Sequence, residues 1–443
     1  MSIDRYASLM ILALLLPVAA NAQAPSDNPT LTAANRDALV EQVAELMREI
    51  YVFPEVAEAM ANAMEQKHFE GGYSSIDKLN ELTQQVTLDL QAISHDKHLS
   101  LMPAPPPQPT DASRDGEHID DRREVARSSN FGFKKLEILP GNIGYLDLRG
   151  FIGAELGGPT AIAAMNFLAN SSAIIFDLRR NGGGDPSMIQ LISSYLFDKP
   201  QHLNSFYIRR GDRTEEFWTH ESVSGPRMVD TPVYILTSGF TFSAAEEFTY
   251  NLKNMKRATV VGETTGGGAH PVDMHLLDVG DGVYARLSLP FGRAINPITG
   301  TNWEGTGVAP DIPAAADQAL DVAQLEILKS LSANAGDESQ KFALDWAREE
   351  LEFNLQRDTI RVQSLADYVG DYGARRITES DGQLYYQRGN GPRLELHAMP
   401  TPDRFHVGHL DDFRVQFLRD ENGKVTGLKG LYGNGRVDEN GRN

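Results

Sequence analysis

The chain has 443 residues, 41% of them hydrophobic, which is enough for a sizeable core at the usual scale of roughly 150 residues per domain. Its formal net charge of -20 would repel a phosphate backbone, so nucleic acid is not expected as a partner, and basic substrates are the weaker inference. It contains no cysteine, which excludes disulfides, thiol nucleophiles, zinc–thiolate sites and lipid anchoring through an N-terminal Cys.

At the N-terminus Arg5 precedes an apolar run from Leu9 to Ala20, and Ala20-Asn21-Ala22 has the small-x-small form of a cleavage site. The run is shorter than the roughly 20 residues of a spanning helix. The pattern predicts a secretory signal over residues 1–22, cleaved before Gln23, and hence an exported protein, periplasmic or secreted. An uncleaved anchor is the alternative. No later segment is expected to cross a membrane as a helix.

Within an N-terminal domain over 31–102, Leu31–Ser94 has helical periodicity: Val40, Val43 and Met47, then Val56, Met60 and Met64, then Leu79, Leu82, Val86 and Leu90. Pro54 and Gly71-Gly72 separate these runs, and together they predict a helical N-terminal domain. A Pro-rich and charged linker is expected over 103–130, opening on Pro103-Ala104-Pro105-Pro106-Pro107. From 131 to 315 strands and helices alternate. Asn142–Leu148, Ala173–Leu178, Val233–Thr237 and Ala258–Val261 read as strands. Thr160–Leu168, Pro186–Phe197 and Ser243–Leu252 read as helices. This order predicts an α/β core with a parallel or mixed sheet. Met274–Val279 and Val283–Leu289 flank Gly280-Asp281-Gly282, a hairpin signal. A helical segment over 316–360 and a small β-rich C-terminal domain over 361–443 complete the expected organisation.

Three loops have the composition for chemistry. In Thr237–Glu246 a buried strand ends, a turn follows and a helix starts at Ser243, which puts its hydroxyl at the positive end of a helix dipole. There the Ala244 N–H could face an oxyanion, although serine is also simply a favoured helix cap. Asn181-Gly182-Gly183-Gly184 follows a strand and lets backbone approach a ligand, or it makes a tight turn. It has neither the Gly-Lys-Ser/Thr ending of a P-loop nor dinucleotide glycine spacing. Gly262-Glu263-Thr264-Thr265-Gly266-Gly267-Gly268 is a third such loop.

In this order and spacing, and followed by Gly307-Val308-Ala309-Pro310-Asp311, the three segments resemble the tail-specific, or carboxy-terminal processing, serine protease family. Tyr51-Val52-Phe53-Pro54 and Ser94-His95-Asp96-Lys97-His98-Leu99 resemble the branch that includes interphotoreceptor retinoid-binding protein and the tricorn protease core. The resemblance spans about Leu31–Ile312. It implies a ClpP/crotonase-like β-α core beside a helical N-terminal domain.

It also implies site residues. The family's dyad lysine would fall at Gly268, so a lysine base is absent there, and Lys253 and Lys256 are poor replacements. The tricorn-like branch instead pairs its serine with an upstream histidine and a downstream glutamate. These positions match Ser243 as nucleophile, His98 as base and Glu304 as the orienting carboxylate, with Gly183 and Ala244 N–H groups as the oxyanion hole. Lys97 stands where that branch has a serine, and His270 and His275 are rival bases. His95-x-x-His98 and His406-x-x-His409 are not His-Glu-x-x-His helices, and neither a metal nor a cofactor is expected. The expected function is a serine endopeptidase acting on peptides or unstructured tails through an acyl-enzyme. The alternative is a non-catalytic protein that binds a retinoid-like or other apolar small molecule, or a peptide. In that case Tyr368, Tyr372, Tyr385, Tyr386 and Phe413 could form a ligand surface instead of a small core.

Overall fold

A computed structural model describes residues 28–107, 115–357, 359–360 and 364–443. The expected leader at 1–22 lies outside the described residues. The chain divides into two compact units, one comprising the chain up to Ile138 with Gly144–Leu320, the other Leu139–Ile143 with Asp321–Asn443.

The first unit opens on helices α1 (Ala33–Ile50), α2 (Pro54–Phe69) and α3 (Leu79–Ser94). Thr32 caps α1 by accepting the Asn35 N–H, and Pro54 occupies the first turn of α2, where a missing N–H costs nothing. The residues at three- and four-residue spacing, among them Val43, Met47, Met60, Leu82 and Val86, are buried together. They share that core with Leu277 and Leu287 of a three-stranded antiparallel sheet formed by β1 (Ser100–Ala104) and, farther along the chain, β9 and β10. The linker expected from 103 therefore begins inside a strand. Pro103 is accommodated because, among the described residues, β1 pairs only with β10 and its other edge is free. A helix, α4 (Asp115–Ser128), occupies part of the same stretch.

The β-α core continues with β2 (Phe133–Leu139), β3 (Ile143–Leu148), α5 (Ala154–Leu168), β4 (Ala173–Asp177), α6 (Pro186–Ser194), β5 (His202–Ile208), β6 (Arg213–Trp218), β7 (Val233–Thr237), α7 (Ala244–Asn254), β8 (Ala258–Gly262), β9 (Val272–Asp278), β10 (Tyr284–Pro290), β11 (Gly292–Ile295) and β12 (Ile312–Pro313). Its main sheet has the order β12-β8-β7-β4-β3-β2, and β4, β7, β8 and β12 run parallel. Strand β4 is buried at every position, which is why its sequence is a continuous apolar run and not an alternation. Helix α5 starts six residues before the expected Thr160, with Pro159 inside it. Gly157 and Gly158 let this stretch pack tightly (a Cβ at Gly157 would sit 3.0 Å from Met188 Cε), and packing outweighs the hydrogen bond that Pro159 forfeits. A separate sheet, β11-β5-β6, was not legible as strands.

The second unit carries α8 (Ala319–Ala333), α9 (Glu338–Gln356) and an eight-stranded antiparallel meander. Its strands are β13 (Gly370–Tyr372), β14 (Arg375–Ser380), β15 (Gln383–Arg388), β16 (Leu394–Ala398), β17 (Arg404–Val407), β18 (Leu410–Arg419), β19 (Val425–Tyr432) and β20 (Val437–Gly441). A bridge from Tyr372 to Arg442 brings the two ends toward closure. Tyr368, Tyr372, Tyr386 and Phe413 are buried in its core and Tyr385 is half-buried, so most of this aromatic set packs inward.

Candidate active site

Strand β7 ends at Thr237 and α7 starts at Ala244, and the intervening turn forces Ser243 into φ 54°, ψ -123°. A positive φ on a non-glycine residue is a strained geometry that recurs where a strand-to-helix turn presents a nucleophile. Two things hold it. The Ser243 N–H donates to Glu246 Oε2 at 2.9 Å, and Gly183 lies directly beneath, where a Cβ would come within 2.8 Å of Ser243 Cβ. The Ala244 N–H, in the first turn of α7, has no hydrogen-bond partner among the described residues. The Gly183 N–H, expected beside it as a second oxyanion donor, donates instead to Asn181 Oδ1 at 2.9 Å.

His98 reaches the same cavity from the turn between α3 and β1. His95 closes α3 in the left-handed region, and the His98 N–H donates to Asp96 Oδ1 at 3.0 Å. The imidazole packs on Phe242, ring centroids 4.6 Å apart. It is 8% exposed, and its Nδ1 has no partner among the described residues. Gly268 leaves the space that the His98 ring occupies. A Cβ there would come within 2.2 Å of Phe242 Cζ and 2.6 Å of His98 Cε1, so any side chain at 268 would displace the ring. Lys97 ties the turn to the glycine loop by donating from Nζ to the Gly266 carbonyl at 2.6 Å. Ser243 and the His98 ring are not hydrogen-bonded to each other; catalytic hydrogen bonds of this kind often tighten only in the complex with substrate.

Behind His98 lies a buried acid–base network. His270 Nδ1 pairs with Asp96 Oδ2 at 2.6 Å and lies 3.6 Å from Glu304 Oε2. Tyr51 donates to Asp96 at 3.2 Å, and the Ala269 N–H donates to Glu304 at 2.5 Å. A ring nitrogen of His98 and carboxylate oxygens of Asp96 and Glu304 lie within 4.8 Å of one another. Glu304 Oε1 has no partner among the described residues, so two orphaned buried atoms, this oxygen and His98 Nδ1, belong to neighbouring residues. Burial would raise the Asp96 carboxyl, but the His270 hydrogen bond and charge outweigh it and the net direction is down. Burial would lower His270, but Asp96 and Glu304 hold it up. Burial drives His98 down to about 4 against the pull of Asp96, aided by the His270 charge. Burial drives Glu304 up to about 7, with His270 opposing. The pairing thus separates a charged His270–Asp96 couple from a neutral His98.

The cavity, of about 280 Å³, is lined by Ser243, His98, His270, Phe206, Phe242 and Trp303 among others. One face of the three-stranded sheet forms a wall: Ser100, Ser288 and Met274 lie in one rung, and Met102 and Arg286 in the next. His275 follows Met274 on β9, so it points to the opposite face and does not line the cavity. The structure therefore brings Ser243, His98, Ala244 and His270 to one cavity, with Glu304 against His270 and Gly183 under the nucleophile.

Asp96, Tyr51 and Glu246 belong to this arrangement and were not singled out from sequence. Asp96 had a signal, since it lies within the quoted Ser94–Leu99 stretch; Glu246, at the third helical position after Ser243, had the form of a cap partner. His406 lies in the second unit, with Glu350 and Asp411 oxygens within the same 4.8 Å limit. In both clusters a cationic side chain already holds a carboxylate: His270 on Asp96, and Arg414 on Glu350 at 3.1 Å.

Residues 142–314 match the model of peptidase family S41, and residues 30–130 match that of the N-terminal domain of Peptidase_S41 in eukaryotic IRBP. A protein of Staphylococcus haemolyticus (strain JCSC1435), described as a CtpA-like serine protease, is 28% identical over 192 residues, 42% of this chain. The match spans 36% of that relative's length, about a third. Among solved structures, a lipoprotein from Streptococcus agalactiae has 17% identity and a TM-score of 0.44, covering 69% of this chain and 99% of its own. The tricorn protease has 15% identity and a TM-score of 0.41, covering 72% and 37%. With a strained serine and a buried histidine lining one cavity, and both halves of the family's domain pattern in one chain, the protein belongs to peptidase family S41 and carries its IRBP-type N-terminal domain.

Proposed function

We infer that the protein is a serine endopeptidase of the carboxy-terminal processing type that cuts peptides or unstructured protein segments through an acyl-enzyme on Ser243. The observation that carries this reading is the strained Ser243 facing a cavity shared with a neutral, buried His98. His98 takes the hydroxyl proton as Ser243 attacks the carbonyl and returns it to the leaving amine; water then repeats the cycle on the ester. Glu304, and behind it the Asp96–His270 pair, supports the imidazolium that forms. The Ala244 N–H supports the oxyanion, and the Gly183 N–H joins it by exchanging Asn181 Oδ1 for the substrate oxygen.

Export is part of this reading and rests on the leader pattern at 1–22. Among the described residues no helix is long and apolar enough to cross a membrane.

The reading is tested by hydrolysis of unfolded casein across a pH series. A lowered pKa leaves His98 unprotonated down to about 4, while Glu304 loses its negative charge below about 7. The rate is expected to fall in two steps as pH drops, to a reduced plateau below 7 and then to zero near 4. Absence of cleavage at every pH would overturn the reading. Complete loss through a single limb at the ordinary histidine value, about 6.5, would contradict the assigned base.

A further inference from the structure

Glu247 lies one helical turn beyond Ser243 on α7 and lines the same cavity, yet it is 2% exposed. The catalytic machinery does not use it. No cation neutralises it among the described residues: the charged group that acts on it is another carboxylate, Asp185, which also lines the cavity. The cavity's lysine and arginine, Lys97 and Arg286, are exposed, Lys97 is committed to the Gly266 carbonyl, and the charged His270 ring is committed to Asp96. Burial pushes the Glu247 carboxyl up to about 8.

Its surroundings are equally unfinished. Asn204 on β5 and Asn251 on α7 are fully buried and temper that rise, but neither amide atom of Asn204, nor Asn251 Nδ2, forms a hydrogen bond of ordinary geometry. Buried polar groups without partners are costly, and a purely structural position would be filled at less cost by an apolar residue. The cavity's apolar lining includes Phe206, Phe242, Met274 and Trp303, and the Trp303 indole N–H is already satisfied by the Gly268 carbonyl at 2.7 Å. An apolar cavity that holds a buried carboxylate with no cationic partner suits a side chain with an aliphatic stem and a cationic head. The net charge of -20 favours the approach of the same class of substrate.

We propose that Glu247 is the specificity-determining carboxylate of this cavity, receiving a lysine or arginine side chain of the peptide next to the bond that Ser243 attacks. The proposal rests on the serine peptidase reading and names its substrate class. On binding, the substrate ammonium or guanidinium pairs with the ionised Glu247.

The test compares two fluorogenic peptides that differ only at the residue donating the scissile carbonyl, lysine in one and norleucine in the other, which isolates the ammonium charge. Wild-type kcat/KM is expected to be roughly thirtyfold or more higher for lysine, the low end for a buried charge pair, and Glu247→Gln is expected to bring the ratio close to one. Equal rates or a norleucine preference in the wild type would overturn the proposal, and so would a lysine preference that survives in Glu247→Gln. Should that variant fail to fold, competition of lysine- against norleucine-ended peptide aldehydes on the wild type decides by the same ratio. Fluorophosphonate labelling separates the two levels. Labelling of Ser243 without lysine preference sinks this proposal alone; absence of labelling sinks the peptidase reading and this proposal with it.

Discussion

Ser243→Ala and His98→Ala are expected to lower kcat on a peptide substrate by similar factors, roughly 10⁴ or more, and the double variant is expected to fall no further. The two groups act as one unit. Without the imidazole the hydroxyl proton has no acceptor, and without the hydroxyl the imidazole has nothing to activate, so the second loss removes nothing that remained. His98 is the assigned base because its ring is neutral and Nδ1 is uncommitted, whereas His270 Nδ1 is held by Asp96 at 2.6 Å and its pKa is raised. A neutral ring can accept a proton at once; a charged one cannot. Steady-state kinetics on the four proteins checks this. A His98→Ala enzyme retaining more than about a tenth of wild-type kcat would move the base to His270, since a lost general base costs at least about a hundredfold.

Glu246→Ala is expected to have the largest effect on stability. The Glu246 carboxylate is fully buried and accepts four hydrogen bonds: from the Ser243 and Gly268 N–H groups at 2.9 Å, the Gly267 N–H at 2.7 Å and the Thr265 hydroxyl at 2.5 Å. Thr265 Oγ1 in turn accepts the Val308 N–H at 2.7 Å, so one side chain joins the nucleophile turn, the glycine loop and the segment that follows Glu304. Burial pushes the Glu246 carboxyl up, and its four donors pull against that. Truncation leaves those donors buried without an acceptor, a loss of roughly 3–5 kcal/mol. At about 2–4 °C per kcal/mol the melting transition should fall by roughly 6–20 °C. Glu246→Gln should restore only part of it, because an amide NH2 would face N–H donors. A shift under about 2 °C in the alanine variant would show that the loop is held by other contacts.

Much of this fold is written in local patterns. The N-terminal helices follow from apolar residues at three- and four-residue spacing, and β4 and β7 from short apolar runs. The meander strands from β15 to β19 follow from alternation between Asp381-Gly382 and Asn422-Gly423 turns. Strands β5 and β6 escaped because His202–Ile208 and Arg213–Trp218 mix polar and aromatic residues, and their pairing with each other and with β11 is tertiary information. In the site, Ser243 was legible because strand, turn and helix are adjacent in sequence. The Asp96–His270 pair spans 174 residues and no local pattern carries it. Glu247 was invisible for another reason: a glutamate one turn into a helix reads as solvent-facing, and its burial comes from tertiary packing.

The account stands on Ser243 being an activated nucleophile. Purified protein should be incubated with a fluorophosphonate at pH 8, digested, and the adduct located by mass spectrometry. A single adduct on the peptide carrying Ser243, with none in the Ser243→Ala protein, is the expected result. An unmodified Ser243 in folded protein, or equal modification of the alanine variant elsewhere, would contradict it.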